Sequence, residues 1–130
     1  MSIAYLDTSA FVKTIVREPQ SGRLASWLPD WPRRASSELL RTEAVRAVRP
    51  HGLEAVQRAR AELAGVDLIP VDRMLLDVAA DIDIDIRSLD AIHLASALAL
   101  GSDLGVLVTY DERMIRAASE LAIAVASPAD

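Results

Sequence analysis

The sequence predicts an α/β fold: a three-layer α/β/α sandwich around a mostly parallel sheet, formed by residues 1–130 as a single domain. Three observations carry this. Short apolar runs alternate with segments of helical spacing, as βαβ units require. The 130 residues are 52% hydrophobic and 25% charged, enough to bury a core without covalent staples. There is no Cys, so disulfides, thiolate zinc sites and thiol nucleophiles are all excluded.

The elements follow in order. Ile3 to Leu6 is an apolar strand ending at Asp7, and Ser9 to Val16 has helical spacing until Arg17-Glu18-Pro19 stops it. Ser21 to Leu28 reads as a helix and Pro29 to Pro32 as a loop. A brief strand at Arg34 to Ser36 precedes helices over Ser37 to Arg49 and Gly52 to Ala64. Leu68 to Val71 reads as a strand that Pro70 confines to a sheet edge, and Asp72 caps a helix reaching about Ile82. Ser88 is the expected N-cap of an apolar helix, Leu89 to Leu100, ended by Gly101. Val106 to Thr109 is a buried strand, Asp111 to Ala122 a helix and Ile123 to Ala126 a last strand.

Charge is unevenly shared. Residues 1–60 hold ten Lys and Arg against six Asp and Glu, whereas residues 61–130 hold four against thirteen, within a net charge of −5. Overall acidity argues against loose binding of nucleic acid, yet a basic first half can contact phosphates while carboxylates fill a site. Of the fourteen basic residues only Lys13 is lysine, which suits bidentate contacts and equally a solvated arginine face. The longest uncharged run, between Asp90 and Asp103, is too short to span a membrane, and Asp7 interrupts any leader-like start. A cytoplasmic protein is expected.

Four acids stand out. Asp7 and Asp111 each follow a strand, so parallel strands bring both to one sheet edge, where ligands gather; each also precedes a helix and suits capping. Glu43 falls inside the apolar stripe between Leu39, Leu40 and Ala47 and points inward, which demands a partner such as a buried Arg. Glu38 lies on the polar side near Arg41. Asp90 is the lone acid of a helix apolar almost all round, placed in its first turn where the helix dipole also favours it. At separations of about 4 to 5 Å each pair of these acids would cost roughly 3 to 4 kcal/mol, so a cation is required. With no Cys and only His51 and His93, the donor set is oxygen-rich and selects Mg²⁺ or Mn²⁺, ions suited to phosphodiester hydrolysis.

Tyr5-Leu6-Asp7-Thr8-Ser9, Ser37-Glu38-Leu39-Leu40-Arg41-Thr42-Glu43, Leu89-Asp90-Ala91-Ile92-His93-Leu94-Ala95 and Thr109-Tyr110-Asp111 together resemble PIN-domain ribonucleases of the VapC toxin type. The resemblance spans most of the chain. It implies an endoribonuclease dependent on Mg²⁺ or Mn²⁺, with Asp7, Glu43, Asp90 and Asp111 as its acids. Of these, Asp7, Asp90 and Asp111 hold the ion and Glu43 handles the attacking water. Ser9 and Thr109 would orient a carboxylate or the water, or simply satisfy local backbone. It further implies RNA as substrate, a homodimer, and a VapB-like antitoxin through which alone DNA is reached.

Other polar residues receive plainer roles. Glu112 could stand in for Asp111. Asp81, Asp83 and Asp85 read as a solvated stretch, His93 as a packed or hydrogen-bonded residue, and His51 has no role. An aspartyl-phosphate enzyme is disfavoured, because Ser9 stands where a second Asp is wanted and no lysine follows the last strands. A PIN-like module that acts by assembling with a partner remains the other alternative.

Overall fold

The structure is a computed structural model and describes residues 2–130. Strand β1 (Ile3–Leu6) is followed by α1 (Thr8–Ile15), α2 (Ser21–Trp27), β2 (Arg34–Ser37), α3 (Leu40–Val48) and α4 (Leu53–Leu63). Then come β3 (Asp67–Ile69), α5 (Arg73–Ala80), α6 (Ser88–Leu98), β4 (Leu104–Val108), α7 (Glu112–Glu120) and β5 (Val125–Ala126). The five strands pair in the order β3-β2-β1-β4-β5, and every pairing is parallel. The expected α/β/α sandwich is therefore present, with β3 at an edge and ending before Pro70.

Strand β1 lies at the centre, and its four residues are buried on both faces. Ile3 and Tyr5 pack with Leu94 and Ala97 of α6 and Met114, Ala117 and Ala118 of α7. Ala4 and Leu6 face the other way, against Ala10 of α1, Leu24 of α2 and Leu28. This two-residue alternation makes three layers out of four consecutive apolar side chains. Gly105 on β4 is required by close approach, because a Cβ there would stand 2.5 Å from the Trp31 ring.

The chain grows from β1 through β2 to β3, then crosses to the opposite side of β1 to add β4 and β5. The strand order thus reverses between β1 and β4, whose register places Leu6 beside Val108. Ligands bind at such reversals, beyond the carboxyl ends of the strands.

Several boundaries differ from expectation for local reasons. Helix α3 begins at Leu40 instead of Ser37, because Ser37 pairs with Ile69 in the sheet and its hydroxyl accepts the Leu39 N–H. Glu38 accordingly lies in a turn; it is exposed, and its carboxylate accepts the Val71 N–H. Ser88 is not the N-cap of α6: Arg87 occupies that position in extended conformation and Ser88 opens the helix. Asp72 does cap α5, accepting the Leu75 N–H at 2.9 Å. Among the described residues no helix is long and apolar enough to cross a membrane.

Candidate active site

Asp7, Thr8, Ser9, Glu43, Arg87, Asp90, His93 and Asp111 line one cavity of about 180 Å³. All four acids singled out in the sequence are gathered there from four separate segments. Glu112 and Asp72 are not among the lining residues, which favours Asp111 as the fourth acid.

Asp7 comes directly off β1 and caps α1. Its Oδ1 accepts from the Ala10 N–H at 3.0 Å and from the Ser9 hydroxyl at 2.6 Å, and its Oδ2 accepts from the Thr109 hydroxyl at 2.5 Å. Burial pushes its carboxyl above the ordinary range, and these three donors only partly offset that push. Ser9 in turn accepts the Tyr110 N–H, and Thr109 accepts the Asp111 N–H at 3.1 Å. The two hydroxyls therefore tie the end of β4 to the acid at the end of β1. Asp7 thus caps α1 and lines the cavity at once. The same holds for Asp111, whose Oδ1 accepts the Arg113 N–H while its Oδ2 faces Arg87.

Glu43 does point inward, but its partner is a histidine rather than an arginine. His93 Nε2 lies 2.7 Å from Glu43 Oε1, and the Thr8 hydroxyl donates to the same oxygen at 2.8 Å. Burial would raise the Glu43 carboxyl, yet the hydrogen bond and charge of His93, with Thr8, outweigh it and hold it below the ordinary range. On the other side of the ring, His93 Nδ1 lies 2.7 Å from the Tyr5 hydroxyl. Burial drives the Tyr5 phenol strongly upward, so it stays protonated. An ionised carboxylate can only accept, so the contact with Glu43 is donated from Nε2. A buried line of contacts, Tyr5 to His93 to Glu43, runs from the core into the cavity. The hydrogen-bonded role expected of His93 is what the structure gives.

Arg87 was not singled out in the sequence. Its Nε donates to Asp90 Oδ2 at 3.0 Å, and its Nη2 lies 3.5 Å from Asp111 Oδ2. The hydrogen bond donated to Asp90 and that acid's charge raise the guanidinium above its ordinary value. The cation that the acid cluster demands is thus supplied in part by the chain itself. The available signal was spacing, since Arg87 and Asp90 stand three apart at the start of a helix.

The residues suit a hard divalent ion in donor chemistry, being carboxylate and hydroxyl oxygens around one cavity. Arg87 is a stand-in that shows this corner to attract positive charge. The expected ligand set is nevertheless not closed on a single point: among the described residues, no three His, Asp or Glu side chains are grouped so as to hold one ion. Asp90 and Asp111 turn to the guanidinium, and both Asp7 oxygens turn to hydroxyl and backbone donors.

Comparison with known proteins gives a consistent answer. The PIN domain family matches residues 4–120. Ribonuclease VapC46 of Mycobacterium tuberculosis is 47% identical over 98% of this chain and 99% of its own. A toxin–antitoxin complex from Klebsiella pneumoniae contains a chain that superposes with a TM-score of 0.76 at 19% identity, covering 98% of both chains. VapC20 of M. tuberculosis, a toxin that cleaves the sarcin–ricin loop, superposes with a TM-score of 0.74 at 19% identity, over 88% of this chain and 94% of that one. These two share the fold. The match across nearly the whole chain and the 47% identity establish that this protein belongs to the PIN-domain family and to its VapC type.

Proposed function

We propose that the protein is the toxin of a VapBC-type pair, a cytoplasmic endoribonuclease dependent on Mg²⁺ or Mn²⁺. The observation that carries this reading is the meeting of Asp7, Glu43, Asp90 and Asp111 around one cavity at the strand-order reversal. The ribonuclease name of a relative 47% identical over nearly the whole chain supports the activity. The solved toxin–antitoxin complex of the same fold supports a VapB-like antitoxin partner.

In this reading Asp7, Asp90 and Asp111 would hold the ion, with Ser9 and Thr109 fixing the Asp7 carboxylate. A bound divalent ion would neutralise charge developing on the phosphoryl group and ease deprotonation of water. Glu43, kept ionised and oriented by His93 and Thr8, accepts the proton of the attacking water. Arg87, whose side chain is exposed, would have to release Asp90 and Asp111 for them to reach the ion. The protein acts as a homodimer and meets DNA only through its antitoxin.

Because water and not the ribose 2′-hydroxyl attacks, the cut ends carry a 5′-phosphate and a 3′-hydroxyl. Sequencing of RNA ends after induced expression tests this. Ends bearing a 2′,3′-cyclic phosphate would overturn the mechanism.

A further inference from the structure

The acidic half of the chain, residues 61–130, has four basic residues against thirteen carboxylates: Arg73, Arg87, Arg113 and Arg116. Three of the four line a single groove of about 600 Å³, beside the acid cavity. Arg87 belongs to both, so the groove leads directly to the acids. Arg113 and Arg116 lie one turn apart on α7, the helix that Asp111 caps, and both are exposed. Among the described residues neither guanidinium takes part in an ion pair, although Asp85 and Glu120 also border the groove.

What sets these residues apart is placement: three of the four arginines of a stretch rich in carboxylates line one groove that opens onto the acid cavity. Half-buried Ile84 and Ile86 form its apolar side. Planar guanidinium forks suit phosphate oxygens, and an apolar side suits ribose and base faces.

We propose that this groove is the subsite for the sugar–phosphate backbone flanking the scissile bond, with Arg113 and Arg116 each engaging a phosphate. The proposal rests on the ribonuclease reading. An acidic peptide in the groove would carry its carboxylates toward Asp90 and Asp111 with no chemistry to gain, whereas an RNA strand must pass along the rim to present a phosphodiester to those acids.

The test is the double variant Arg113→Gln/Arg116→Gln, whose sites are exposed and whose folding is checked by its thermal midpoint. A fluorescein-labelled single-stranded RNA of about 12 nucleotides is titrated in EDTA at several salt concentrations. Loss of two phosphate contacts should lower the slope of log affinity against log salt by about 1.4, with weaker binding at each salt. Unchanged slope and affinity overturn the groove. A Glu-rich peptide that binds the wild type but not the double variant, while RNA binding is unchanged, overturns it in favour of a peptide dock. If the wild type cuts RNA with Mn²⁺ and the variant keeps its slope, only the groove fails. If the wild type neither binds the RNA nor cuts cellular RNA, the ribonuclease reading fails and the groove with it.

Discussion

On the inner wall of the cavity Asp7 is 5% exposed and takes three hydrogen bonds, and Glu43 is gripped by His93 and Thr8. On the outer wall Asp90 and Asp111 share Arg87, whose side chain is 66% exposed. The inner acids are set by the folded core: their partners are packed residues, and moving them disturbs β1, α1 or α6. The outer acids are buried to a similar degree as Glu43, and Asp111 also caps α7, but the partner they share is an exposed guanidinium, and an ion pair to such a group contributes little. The cavity thus combines a rigid half held by donors from the fold with a half whose shared partner reaches into solvent.

The largest effect is expected where the rigid half meets the chemistry. Asp7→Asn keeps the cap and the shape but removes the charge, and should lower ribonuclease kcat/KM by about a thousandfold or more. Circular dichroism should show an intact fold. A fully active Asp7→Asn would remove the inner wall from the mechanism. Glu43→Gln should cost about a hundredfold, mostly in kcat, since its task is proton transfer.

A smaller loss separates positioning from chemistry on the same wall. Tyr5→Phe leaves the ring in the core but deletes the hydroxyl that holds the far side of the His93 ring, and should cost about tenfold. The pH–rate profile should change shape along with the rate, because the ring that donates to Glu43 loses its anchor on the other side. A loss of stability with an unchanged pH profile would reduce Tyr5 to a packing residue.

How much of this was legible in the sequence differs between the walls in the same way. Asp7 and Asp111 could be brought to one edge because both follow apolar runs and parallel strands end on the same side. Glu43 is turned inward by a stripe through Leu39, Leu40 and Ala47, but the buried face of α3 is Leu40, Ala44, Val45 and Val48; Ala47 is exposed, and Glu43 stands half-buried beside that face. Both inferences use backbone periodicity, which survives in one dimension. The partner of Glu43 could not be read, because His93 is 50 residues away and its choice over an arginine depends on how α6 lies against β2 and β1. Arg87 was hidden differently. Ser88 has the better capping side chain, so the helix start was placed one residue late, and the residue that takes the cap throws its guanidinium over Asp90.

The outer wall is tested through Arg87→Ala. If the guanidinium is an exchangeable counter-cation, its removal leaves Asp90 and Asp111 facing each other unneutralised. Mn²⁺ binding measured by calorimetry should then tighten several-fold in the variant. Weaker Mn²⁺ binding in Arg87→Ala would mean that the guanidinium builds the site instead of competing for it.

The smallest effect, a few degrees in thermal midpoint, separates the two inner acids by the sign of their pH dependence. Burial raises the Asp7 carboxyl, so the folded protein binds more protons than the unfolded chain between the unfolded value of 3.8 and its own higher one. Ionising Asp7 therefore costs stability as pH rises through that window, and Asp7→Asn should gain on the wild type from pH 4 upward. Glu43 is lowered from 4.5, so its contribution is full above that value and is lost as pH falls through the folded one. Glu43→Gln should therefore be less stable than the wild type near neutrality and approach it in acid. Midpoints measured from about pH 3 to 7 should give curves that diverge from the wild type in opposite directions. Parallel curves would mean that the two acids meet the same environment and that His93 does not hold Glu43 ionised.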